Sequence, residues 1–210
     1  MKVITPLVHV INLGRATERW TTISERCRRI GQPISRFKAV DGNDIKFVRR
    51  SGFDIRNRYH EACYQSHCIL WHKFMLDMCS QYACILEDDA IVLAPIRDVA
   101  VPDNFDIVYI NDRMLKGDGG KAINGCGTDG YILSREGCRK LITICEDIDK
   151  PLDLRIQAHV RGFIETGHGI CGKNGKEVFV SRLHPDIVIE GYKSRINYIE
   201  HNDSCKSYIR

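Results

Sequence analysis

Residues 83–92 read Ala83-Cys84-Ile85-Leu86-Glu87-Asp88-Asp89-Ala90-Ile91-Val92. A four-residue apolar run stops abruptly at three adjacent carboxylates and then turns apolar again. The first run predicts a buried strand, because four to eight apolar residues bounded by a polar break suit a strand covered on both faces. Apolar flanks on both sides make the acidic loop short and pinned. On a free loop such a cluster would be solvated and idle. Held between buried segments, the carboxylates repel and raise one another's pKa unless a cation is supplied. Hard oxygen ligands suit Mg²⁺ or Mn²⁺, and the run is too short for a calcium-binding EF-hand loop.

Outward from this motif, strand and helix patterns alternate. Leu7–Leu13 is a β-branched run entering a turn at Gly14. Residues 17–30 place Trp20, Ile23, Cys27 and Ile30 at helical spacing, with Gly31 and Pro33 as stop signals. Ser35–Val40 predicts a second strand closed by Asp41-Gly42. A long helix is expected over Glu61–Tyr82, with Cys63, His67, Leu70, Phe74 and Met78 along one stripe. Further strands are expected at Ala90–Val92, Asp106–Ile110 and Tyr131–Leu133, the last leading through Ser134 into a helix over Arg135–Cys145. Residues 117–130 carry six glycines and predict a mobile loop able to act as a lid, and Asn174-Gly175 predicts a hairpin turn. Alternating strands and helices imply an open α/β sheet, in which ligands bind beyond the carboxyl ends of the strands. Residues 12–15, 41–42 and 87–89 all fall at such ends.

Composition narrows the function classes. The 210 residues, 43% hydrophobic and 28% charged, predict one globular domain over 1–210. A net charge of +4, carried in short pairs such as Arg28-Arg29 and Arg49-Arg50, argues against a nucleic-acid partner. It suits an anionic substrate or a peripheral place at a membrane surface. Ten cysteines without a CxxC spacing fit buried thiols better than a disulfide scaffold or a zinc knuckle. No apolar run approaches the about 20 residues needed to span a bilayer, and the N-terminus lacks a signal-peptide pattern. A cytoplasmic location is therefore expected. Gly125-x-Gly127-x-x-Gly130 matches a dinucleotide-loop pattern, but a strand-like segment follows it where that motif needs a helix.

Several blocks recur in one order: Ile11-Asn12-Leu13 with Arg15 and Arg19, Phe37 to Gly42, and Cys63-x-x-Ser66-His67 with Trp71. Leu86 to Asp89, Gly127-Thr128-x-Gly130-Tyr131-x-x-Ser134 and Pro151-x-Asp153 follow them. Together they resemble glycosyltransferase family 25, which includes bacterial lipooligosaccharide galactosyltransferases and collagen galactosyltransferases. The resemblance implies a GT-A, Rossmann-like fold with a mainly parallel sheet flanked by helices, to which the Asn174-Gly175 turn adds a C-terminal hairpin. It implies a nucleotide-binding half near 1–95 and an acceptor-side half near 96–210. The implied reaction is inverting transfer of a hexose, galactose before glucose, from a UDP-sugar donor with Mn²⁺ or Mg²⁺. The acceptor would be a glycan, a glycolipid or a protein-linked site. The alternative is a catalytically inactive nucleotide- or glycan-binding domain of a larger assembly.

The resemblance also assigns roles. Asn12, Leu13, Arg15, Arg19, Val40, Asp41, Ser66, Glu87 and Asp88 are expected to bind the donor. Asp89 and Glu87 are expected to hold the metal, with an imidazole from a late segment, His184 ahead of His168, completing its sphere. Asp153 is the expected catalytic base, with Asp129 as its competitor.

Overall fold

The computed structural model describes residues 1–46, 58–125, 127–146, 151–166, 170–171, 177–178 and 184–202. Its central sheet has the order β13 (Gly191–Lys193), β7 (Ile107–Tyr109), β10 (Gly130–Ser134), β4 (Tyr82–Glu87), β2 (Leu7–Asn12), β3 (Ser35–Lys38), numbered along the chain. Side chains alternate across it as strand geometry requires. Cys84 and Leu86 of β4 join Val8, Val10 and Ile132 in one core. Ala83 and Ile85 join Trp71, Tyr131 and Leu133 in the other. The helix α1 (Thr17–Arg29) covers the first face through Ile23 and Cys27. The second face is covered by α2 (Arg58–Leu76), α3 (Arg135–Ile144), α4 (Leu152–Gln157) and α5 (Arg161–Thr166). All of Ala83–Leu86 is out of water, as the apolar run requires.

The sheet is mainly parallel, as expected, with one strand reversed. β2 runs parallel to β3 and β4, and β13 parallel to β7, but β10 is antiparallel to both β4 and β7. No helical crossover precedes β10; it enters from the carboxyl edge of the sheet, with Gly130 opposite Leu86. That reversal places residues 127–129 directly beside the acidic end of β4.

Small two-stranded units surround this sheet: β1 (Lys2–Ile4) with β6 (Val99–Val101), and β5 (Ala90–Val92) with β14 (Ile199–His201). The glycine-rich segment is more ordered than the expected loop. β8 (Met114–Lys116) and β9 (Ala122–Gly125) form a hairpin, turned by Gly119 and Gly120 at φ 64° and 82°. Gly162 of α5 packs against the Ala122 carbonyl, where an added Cβ would lie 2.2 Å from the oxygen. β11 (Ile170–Cys171) and β12 (Glu177–Val178) pair antiparallel, while Asn174-Gly175 lies outside the described residues. The described cysteines Cys27, Cys63, Cys68, Cys79, Cys84, Cys138 and Cys145 are free thiols. Among the described residues no helix is long and apolar enough to cross a membrane.

The helix α2 stops at Leu76, short of the expected Tyr82, which belongs to β4. A single guanidinium accounts for this. Arg135 Nη1 donates to the Asp77 and Ser80 carbonyls at 2.7 and 2.9 Å, and Nη2 to the Met75 carbonyl at 2.7 Å. The orphan carbonyls of a helix end need such donors, and Arg135 supplies them from the first residue of α3. Arg135→Met keeps the stem but leaves those carbonyls to water. Urea denaturation is expected to show a loss of about 2–3 kcal/mol, the cost of losing several bonds from a charged donor.

Candidate functional site

The carboxyl ends of β2 and β4 lie side by side, with Ile11 paired to Glu87. Their first polar residues after the buried run therefore meet. Asn12, 1% exposed, donates from Nδ2 to Asp88 Oδ2 at 2.6 Å and to the Ala16 carbonyl at 3.1 Å. Its Oδ1 accepts from Arg36 Nε at 2.8 Å. Arg19, from the first turns of α1, donates to Asp88 Oδ1 at 2.9 Å. Asp88 is thus held from both sides by the start of the chain.

Glu87 is held differently. Its Oε1 accepts from the Thr128 hydroxyl at 2.7 Å, and His67 Nε2 lies 3.4 Å away. Burial alone would raise the Glu87 pKa; the facing imidazole, Thr128 and the Arg113 charge outweigh it and keep the carboxyl below its ordinary value. Behind Glu87 a buried polar chain continues into the core. His67 Nδ1 is 2.7 Å from the Tyr131 hydroxyl, which also accepts from Trp71 Nε1 at 3.0 Å. The indole can only donate, so the Tyr131 proton is free to go to His67 Nδ1. That assigns the remaining imidazole proton to Nε2, facing Glu87.

Asp89 has neither kind of support. Its Oδ1 is buried without a hydrogen-bond partner among the described residues. Burial first, and then the Glu87 and Asp88 charges, push its pKa up to about 7. A second orphaned oxygen lies across the loop. Asp129, 1% exposed, accepts from Asn111 Nδ2 at 2.7 Å through Oδ1, while Oδ2 has no hydrogen-bond partner among the described residues. Arg113 Nη1 and His201 Nδ1 stand 3.9 and 3.6 Å from that oxygen. Burial raises the Asp129 pKa, aided by Glu87. Gly127, at φ +94°, makes this approach possible, since a Cβ there would lie 2.8 Å from both Asp129 Oδ1 and Arg113 Nη1.

Two cavities share Cys63 and Glu87. One, of about 100 Å³, is lined by Leu13, Arg19, Val40, Ser66, His67 and Asp89 among others. The other, of about 320 Å³, is lined by His60, Arg113, Thr128, Asp129 and Asp153. Taken together they reach the lower range of small-molecule sites, roughly 300–1,000 Å³. Gly42 admits Tyr59 to the first cavity, because a Cβ there would lie 2.3 Å from the ring.

The expected donor residues do gather at this edge, but several are already engaged with one another. Arg15 Nε donates to Asp41 Oδ2 at 2.7 Å, and that bond, with the Asn43 amide, holds the Asp41 carboxyl below its usual range. Ser66 donates to the Ala62 carbonyl and accepts from the Val40 amide at 2.9 Å, so its hydroxyl anchors the end of β3 to α2. Asp153 faces the second cavity; its Oδ1 accepts from the Leu154 amide at 2.9 Å, and burial raises its pKa. His184 lines neither cavity, and His168 lies outside the described residues.

His201 is the late imidazole at the cluster, brought in by the pairing of β14 with β5, where it sits opposite Ala90. Asn111 escaped the sequence reading although it follows strand β7 as Asn12 ends β2. Thr128 stands in the Gly127-to-Ser134 block without an assigned role, and Arg113 carries no local signal.

In donor chemistry the orphaned carboxylate oxygens, Asp89 at the smaller cavity and Asp129 at the larger, are each the kind of ligand a hard divalent ion takes. A sheet flanked by helices, with carboxylates gathered at its strand ends over a cavity, is consistent with a Rossmann-like domain. Residues 6–101 match the family model described as glycosyltransferase family 25 (LPS biosynthesis protein). A "Glycosyltransferase 25 family member" of Anopheles gambiae is 26% identical over 170 residues, 64% of this chain. One of Aedes aegypti is 25% identical over 181 residues, 70% of this chain. By these matches the chain is similar to members of glycosyltransferase family 25. The chain spans 28% of the length of these curated relatives. A crystal structure of a glycosyltransferase involved in the glycosylation of the major capsid of PBCV-1 superposes with a TM-score of 0.39 at 11% identity, over 68% of this chain and 69% of that one.

The Asp89 environment sets a pH dependence. Unfolded, Asp89 ionises near 3.8; folded, near 7. Below pH 4 both states hold the proton and the group is neutral to stability. Between those values the native state keeps a proton that the unfolded state has released, so stability falls as pH rises and stays lowered above 7. In metal-free protein, Asp89→Asn is expected to gain on the order of 1–2 kcal/mol at pH 8, allowing for partial exposure. At pH 4 the gain should vanish. Thermal melts at the two pH values check this.

Proposed function

We propose that this chain is a glycosyltransferase domain that transfers a hexose, galactose before glucose, from a UDP-sugar to a glycan, glycolipid or protein acceptor with inversion. The observation that carries this reading is the orphaned Asp89 oxygen in the donor-side cavity, on the segment that matches the family. Asp89 and Glu87 would hold Mn²⁺ or Mg²⁺, with His201 in place of His184 as the late imidazole. Such an ion supplies charge to screen a diphosphate and to stabilise a leaving nucleoside diphosphate.

The chain's own residues divide the remaining work. Asp88, fixed by Asn12 and Arg19, sets the direction of the loop that carries Asp89. Leu13, Ala39 and Val40 offer an apolar wall for the base. Arg15 and Asp41, which hold each other, would open toward the nucleotide as it enters. Inversion needs the acceptor hydroxyl to attack from the face away from the diphosphate, and its proton must pass to a group there. Asp153 and Asp129 both line the larger cavity, and burial raises the proton affinity of both, as a base near neutral pH requires.

Calorimetry is the direct test of donor binding. UDP should bind with Mn²⁺ present and much more weakly without it, and Asp89→Asn should lose the Mn²⁺-dependent part while keeping its circular dichroism. No UDP affinity in either condition would sink the proposal.

The base is tested by UDP release in the presence of acceptor. Asp153→Asn retains an oxygen able to cap the Leu154 amide, so stability should change little. Turnover should fall on the order of 10²–10⁴-fold if Asp153 takes the proton, with UDP and Mn²⁺ affinity unchanged. Near-normal turnover would transfer the role to Asp129, and Asp129→Asn should then show the loss.

A further inference from the structure

We propose that Cys63, His67 and Glu87 form a second cation site, specific for a thiophilic divalent ion such as Zn²⁺, beside the hard-ion position at Asp89 and sharing Glu87 with it. One ligand atom from each residue, Sγ, an imidazole nitrogen and a carboxylate oxygen, lies within 4.8 Å of the other two. Cys63 and His67 are four residues apart on α2 and so share a helix face.

His67 is the observation that points to a ligand. It is wholly buried and lines the smaller cavity, and its Nε2 meets no hydrogen-bond geometry but stands 3.4 Å from Glu87 Oε1, the third member of the set. A metal-ligating imidazole needs its other nitrogen oriented by a hydrogen bond. Nδ1 has that bond, 2.7 Å to the Tyr131 hydroxyl, itself fixed by Trp71. With the ion bound, Nδ1–H donates to Tyr131 and the Nε2 lone pair faces the metal. Cys63 lines both cavities, which provides an entry path.

Sulfur, nitrogen and one carboxylate, three protein ligands with a fourth position open, is a zinc-type set. Thiolate ligands select soft or borderline ions, while Mn²⁺ stands lowest in the affinity order and favours oxygen. The balance is simple. The Cys63 S–H bond breaks, its electron pair forms the S–Zn bond, and the proton leaves to solvent with no redox change. Without the ion, burial and the Glu87 charge keep Cys63 a neutral thiol.

The test is independent of sugar transfer. Co²⁺ titrated into the full chain should give a near-ultraviolet thiolate-to-cobalt charge-transfer band with tetrahedral visible bands, both bleached by Zn²⁺. Cys63→Ser should remove the charge-transfer band, while Cys79→Ser, at the exposed thiol, should retain it. Tyr131→Phe should weaken Zn²⁺ binding roughly 10–100-fold through the lost orienting bond. If Cys63→Ser does not fold, His67→Asn in the same titration should lose the tetrahedral bands. A wild-type spectrum that is only octahedral, or a thiolate band that survives in both the Cys63 and the His67 variants, overturns the proposal.

Discussion

Ala83 to Leu86 of β4 are wholly out of water, flanked in the sheet by β2 and β10 and packed on both faces. A strand so enclosed can carry charge only where it leaves the sheet, so Glu87, Asp88 and Asp89 must share one exit. Three adjacent carboxylates cannot all be left alone there at neutral pH. The surrounding elements divide them. The Thr128 hydroxyl and His67 take Glu87, the start of the chain takes Asp88 through Asn12 and Arg19, and Asp89 has an oxygen left unpaired. The two supported carboxylates fix the loop so firmly that the third cannot relax away from them.

The polar groups behind the loop follow from the same exit. A buried network is stabilising only when its members are satisfied. Trp71, Tyr131 and His67 form a chain in which each ring restricts the next, ending at Glu87. Across the cavity Asn111 satisfies one oxygen of Asp129 and leaves the other open. The unsatisfied oxygens of Asp89 and Asp129 belong to residues that line the two cavities joined by Cys63 and Glu87. A fold built only for stability would have paired them or replaced them with apolar side chains.

Much of the fold is legible in local pattern. The strand ends, the amphipathic α1 and the Ser134 cap on α3, which accepts from the Gly137 amide, all lie where periodicity and capping chemistry place them. The failures share one cause. The end of α2 depends on Arg135, about 60 residues away. The hairpin at β8 and β9 depends on α5 packing against it, which the glycine count disguises as looseness. In each case a distant side chain or helix decides what the local residues leave open.

The site divides along the same line. Residues 83–92 by themselves determine a buried strand with an acidic end, because burial, charge repulsion and chain length act over ten residues. The alternation of elements along the sequence also determines that Asn12 and Asp41 stand at neighbouring strand ends, since it places those ends on one edge. The tertiary structure alone decides which carboxylate is left unpaired and that Arg15 and Asp41 hold each other. It also decides that His201 stands 3.6 Å from Asp129. Those outcomes depend on the antiparallel insertion of β10 and on the pairing of β14 with β5. Both bring together groups more than 40 residues apart, and no local pattern records such a distance.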